Sequence, residues 1–152
     1  MRLLLRLVVA AGLAVDGYVH VDLAAAYEGI GTTLTQATLF RIEAGAAGAA
    51  ALLVIALGRR WAFGFAFMVA ASAFAAVMLY RYVDVGGFGP VPNMYEPLWS
   101  PEKLASAVAE AAAALAALAG VALGRRSSPT AAKRPRHSTP AVSDSRSRDE
   151  AP

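Results

Sequence analysis

The chain has 152 residues, 57% of them hydrophobic and 16% charged, with a net charge of +3 and a mean hydropathy of +0.49. Charged residues make up about a quarter of an ordinary soluble domain, so this composition argues against one. Cysteine is absent, which excludes disulfides, thiolate metal sites and thiol redox chemistry for this chain alone.

Four apolar stretches, at about 3–23, 36–57, 61–82 and 104–123, each have the roughly 20 residues that a helix needs to cross a bilayer. The expected fold is all-α: a four-transmembrane-helix bundle over 1–126, followed by a disordered cytoplasmic tail over 127–152 that is rich in Ser, Pro, Arg and Ala. The first stretch carries Arg6, Asp16 and His20. A signal-peptide reading competes for it, because Met1 and Arg2 precede an apolar run and 24–26 offers small residues for cleavage. Arg6 interrupts that run, and the apolar character continues through Tyr18, Val19 and Val21, which favours a retained helix. Cleavage would leave three helices and remove Asp16 and His20.

The connector 24–35 holds Glu28 and is a turn-rich break. The second stretch carries Arg41 and Glu43, with small residues at Ala44, Gly45, Ala47 and Gly48 that favour close helix packing. The third, with Phe63, Phe65, Phe67, Phe74 and Met78, is expected to be the most lipid-exposed helix. The connector 83–103 is broken by glycines and prolines yet keeps Phe88, Met94, Tyr95, Leu98 and Trp99. It is expected to fold over the bundle mouth or lie in the interface. Ser100-Pro101-Glu102 is a helix-start signal for the fourth stretch. That stretch carries Glu110 and ends in the G-x-x-x-G of Gly120 and Gly124, a motif also used for helix dimerisation.

Charge placement gives an orientation. Arg2, Arg6, Arg59, Arg60, Arg125 and Arg126, with Lys133, Arg134 and Arg136, fall on one side if the helices alternate. Glu28, Asp84, Glu96 and Glu102 fall on the other, with Lys103 at its edge. Cytoplasmic flanks are basic, so both termini are expected in the cytoplasm of a cell-membrane protein. The basic excess therefore needs no nucleic acid as a partner. The 125–136 segment also has the composition to contact anionic lipid headgroups. Trp61, Tyr80, Tyr82, Tyr95 and Trp99 sit where aromatic anchors favour the headgroup level.

Ionisable groups at membrane depth cost about 2.5–3.5 kcal/mol each and face the bundle. Asp16, Glu43 and Glu110 all fall roughly 10 Å below the outer edge, with Arg41 slightly nearer the surface. His20 follows Asp16 on the same helix face. Arg41 and Glu43 point about 200° apart and must seek partners on different helices. Arg41 is expected to pair with Asp16 or Glu110, the excess carboxyls staying protonated or binding a cation or water. These five residues form a candidate ligand site open to the outside. The competing reading gives them a structural role only, as a lock on helix register. Asp16, His20 and Glu43 are metal-ligating types, but one histidine is a thin signal, and no metal, cofactor or catalytic residue is assigned.

The pattern 17–21, Gly-Tyr-Val-His-Val, with Tyr27, Leu39-Phe40-Arg41-Ile42-Glu43-Ala44, Glu96-Pro97, Trp99, Lys103 and Ala109-Glu110, resembles small four-helix integral membrane proteins of high-GC Gram-positive bacteria. It is more distantly similar to the DoxX-type four-helix membrane proteins, which are associated with respiratory or redox partners. The resemblance covers about 3–123 and implies an architecture and a location. The functional expectation is a non-enzymatic accessory or small-ligand-sensing membrane component, alone in the bilayer or with a second copy or another membrane protein. The alternatives are a redox or quinone-linked enzyme subunit, with its ligand under the 88–99 loop, and a minimal oligomeric transporter.

Overall fold

A computed structural model describes residues 1–29 and 34–125. The expected tail over 127–152 lies outside the described residues. Four helices follow in chain order: α1 (Arg2–Ala26), α2 (Gln36–Leu57), α3 (Arg60–Tyr82) and α4 (Pro101–Arg125). All four are long and apolar enough to cross a membrane. At about 1.5 Å per residue even the shortest, α2, spans roughly 33 Å. Among the described residues the only β pairing is the isolated Phe88–Val91 bridge.

Each boundary has a local cause. Thr35 caps α2, its hydroxyl accepting from the Thr38 amide at 3.1 Å. Gly58 ends α2 in the left-handed region at φ 53°. A Cβ there would also meet the flexible Arg6 guanidinium, which would have to move aside. Only Gly58 and Arg59 separate α2 from α3. Pro101 opens α4, and the Ser100 hydroxyl accepts from the Lys103 amide at 3.2 Å, as the start signal predicts.

The helices pack as a ring, α1 against α2 and α4, and α3 against α4 and, over a smaller seam, α2. The core is built from small side chains, with Ala47, Ala50, Ala66, Ala113 and Ala117 packed around Val9, Leu13, Val54 and Phe63. In lipid, close backbone approach replaces the hydrophobic drive that joins helices in water. The backbones of α1 and α4 approach closely. A Cβ on Gly12 would lie 2.8 Å from the Ala109 carbonyl oxygen and 3.0 Å from the Ala113 Cβ.

Two expectations about packing are corrected. The least covered helix is α2, not the phenylalanine-rich α3: 17% of the most apolar stretch of α2 is buried, against 33% for α3. Phe63 of α3 is buried, seated against α4 where a Cβ on Gly120 would overlap its ring. The Gly120–Gly124 motif is thereby occupied within the chain, since Gly124 faces the Arg60 side chain. The arginine-bearing end gathers Arg2, Arg6, Arg59 and Arg60 around one cavity of about 370 Å³. Arg2 donates to the Leu123 carbonyl and Arg6 to the Leu57 carbonyl, at the helix ends where carbonyls favour cations.

At the other end the 83–100 connector is tied down by its own polar groups. Asp84 Oδ1 accepts from the Gly86 amide and from Asn93 Nδ2, both at 3.0 Å. Gln36 Nε2 donates to the Asn93 carbonyl at 2.8 Å, joining the loop to the start of α2. The Glu96 amide donates to the Tyr80 carbonyl at 3.0 Å, joining it to the end of α3. Lys103 Nζ donates to the Glu96 and Leu98 carbonyls at 2.7 and 3.0 Å. The Arg81 guanidinium lies over the Tyr82 and Trp99 rings. Phe88 and Leu98 remain exposed.

Candidate functional site

One helical turn above the Gly12 contact, α1 turns two polar side chains into the bundle. Asp16 and His20 are four residues apart on one face, and both are buried. On α4, Ser106 and Glu110 repeat the same spacing and meet them. Ser106 Oγ lies 3.0 Å from Asp16 Oδ1 and 2.7 Å from Glu110 Oε1. Asp16 and Glu110 are 0% exposed.

Hydrogen counting constrains this network. His20 Nδ1 is 2.8 Å from Asp16 Oδ1 and 3.0 Å from the Asp16 carbonyl oxygen. Both neighbours are acceptors, so Nδ1 carries its hydrogen. A serine hydroxyl has one hydrogen and donates to one of the two carboxyl groups. Its oxygen stands between the two carboxyls and joins α1 to α4 through one side chain.

The network leaves acceptors over. Asp16 Oδ2, Glu110 Oε2 and Glu43 Oε1 are buried and have no hydrogen-bond partner among the described residues. Glu43, on α2, lies within electrostatic reach of both Asp16 and His20. Three helices thus bring three acids and one histidine to one level. The His20 ring meets Phe40 edge-on at 5.5 Å between centroids, and Phe40 meets Tyr27 in the same way at 5.4 Å. This aromatic chain runs from the cluster to the Tyr27 end of α1.

The sequence-predicted residues divide into two groups. Asp16, His20 and Glu110 come together, with Glu43 beside them. Arg41 does not join. Its guanidinium donates to both Glu28 carboxylate oxygens, at 3.1 and 2.8 Å, in a pair that is 53% and 65% exposed. The expected pairing with Asp16 or Glu110 is therefore corrected. Arg41 sits near the start of α2, and its long side chain reaches the connector carboxylate without burying its charge. Ser106 was not anticipated. Its place four residues before Glu110 is a signal the sequence does contain, because α-helical spacing puts both on one face.

Asp16, His20 and Glu110 also form a set of possible metal ligands, each offering one donor atom with all three within 4.8 Å of one another. Glu110 replaces the Glu43 of the sequence-based set. No family model, curated protein or solved structure matches the chain. The function is accordingly argued from the site.

Proposed function

We propose that the chain is a multi-pass cell-membrane protein with both termini in the cytoplasm, and that it holds a small polar or cationic ligand reached from the outer side. It acts as an accessory or ligand-sensing component. The observation that carries this reading is the pair of unpartnered oxygens on Asp16 and Glu110, two side chains with no exposure at all. A pure register lock would satisfy its polar atoms and balance its charges. Here three acids face one histidine, and the nearest arginine is turned to Glu28. Such groups are expensive at membrane depth and are kept where they serve a ligand or ion. The orientation rests on Arg2, Arg6, Arg59 and Arg60 at one end and the acid cluster toward the other.

Binding groups are held at a cost in stability. Replacing Asp16 by Asn and Glu110 by Gln together keeps shape and hydrogen-bond capacity while removing the acids. The ligand-site reading expects this double variant to unfold in detergent with a stability raised by about 0.5–2 kcal/mol. A clear loss of stability instead would mean that the acids lock the helices, and the site reading would fall.

A further inference from the structure

We propose that Asp16, His20 and Glu110 bind one divalent transition-metal ion of the zinc class. The proposal rests on the outward-facing ligand site just described and names what that site takes. The donor set is one imidazole nitrogen and two carboxylates, drawn from two helices. Mixed nitrogen and oxygen donors suit zinc and its first-row neighbours, whereas calcium and magnesium take oxygen alone. The spacing also fits. Metal–donor bonds of about 2.0–2.2 Å place donors on a common ion up to roughly 4.4 Å apart. The three donor atoms already lie within 4.8 Å of one another, and His20 Nδ1 and Asp16 Oδ1 are 2.8 Å apart. Small side-chain rotations close the set.

Independent of that spacing, Asp16 and Glu110 each present a buried oxygen with no hydrogen-bond partner. A dication gives these lone pairs a partner and offsets carboxylate charge in a low-dielectric medium, beyond what the single His20–Asp16 contact supplies. Ser106 touches both carboxylates and fixes their orientation, as outer partners do around bound metals. Glu43 is a further carboxylate within electrostatic reach of Asp16 and His20. The Gly12 contact holds α1 and α4 at a fixed distance just below the set, so the donors sit on rigid backbone. Metal binding through Nδ1 moves the hydrogen of a neutral His20 to Nε2, and a proton held on either carboxyl leaves to solvent.

The test uses the full chain, purified through a tag without histidine, stripped with a chelator and titrated with Co²⁺. The chain contains one other histidine, His137. The His137→Ala protein is expected to bind about one equivalent, with visible ligand-field bands that Zn²⁺ abolishes. His20→Ala, Asp16→Asn and Glu110→Gln are each expected to weaken binding by about tenfold or more. Folding of each variant is checked by its melting profile, and where one fails to fold, the His137→Ala titration decides. Absence of bands and of binding heat in folded His137→Ala protein would overturn the proposal. So would binding that survives in folded Asp16→Asn, Glu110→Gln protein. The ligand-site reading fails separately, through the stability of that double variant, and stands if the variant is stabilised while no metal binds.

Discussion

Ser106 Oγ on α4 stands 3.0 Å from Asp16 Oδ1 on α1, joining residues ninety positions apart in the chain inside a nearly all-apolar bundle. The contact lies one turn above the close approach of α1 and α4 at Gly12. It ties this close helix seam to the acid cluster, so packing and polar chemistry depend on the same pair of helices.

Ser106→Ala removes the hydroxyl shared by the two carboxyls. Side-chain hydrogen bonds between membrane helices average about 0.6 kcal/mol and reach about 1.7. Both carboxyls lose a partner here, so the expected loss lies toward the upper end of that range. Unfolding of the parent and the variant in mixed micelles measures it, and equal stability would show that the contact contributes nothing.

Arg41→Leu is expected to be mild. The Arg41–Glu28 pair is more than half exposed, and exposed pairs contribute at most about 1 kcal/mol. A double-mutant cycle with Asp16→Asn should show no coupling. Strong coupling would place Arg41 in the cluster after all.

Gly120→Leu forces a side chain into the Phe63 ring. Overpacking of this kind costs about 1–3 kcal/mol. The variant should melt lower with its oligomeric state unchanged, because this face is used within the chain. A change of oligomeric state at constant stability would return the motif to an intermolecular role.

The proposed orientation puts the basic end in the cytoplasm. A reporter fused after Pro152 should be active only as a cytoplasmic reporter, and one inserted at Gly89 only as an external one. The reverse pattern would invert the bundle and put the acid cluster on the cytoplasmic side.

Apolar length alone located the helices, with α2 matching at both ends, α3 matching at its end and starting one residue earlier, and α1 and α4 extending by one to three residues per end. The level of Asp16, Glu43 and Glu110 followed from rise per residue, because distance along a helix is additive. The rotation of each helix was not legible. In lipid both the inward and outward faces are apolar, so hydropathy does not mark the buried side. Phe63 therefore looked lipid-facing when it fills the notch beside Gly120, and α2 looked packed when Gly45 and Gly48 face open space. Arg41 was misplaced for a related reason. A flexible cation near a helix end chooses between a buried acid and a solvated one, and the desolvation term that decides this does not appear in spacing.

Access from the outer side separates a ligand site from a sealed lock. The chain has no cysteine of its own, so a single introduced thiol is reported without background. Ser106→Cys and, as a control deep in the core, Ala117→Cys are to be treated in intact cells with a small membrane-impermeant methanethiosulfonate reagent. Outward access to the cluster predicts that Ser106→Cys reacts from outside while Ala117→Cys stays inert over the same time. Equal inertness of the two, or reaction of Ser106→Cys from the cytoplasmic side alone, would contradict it.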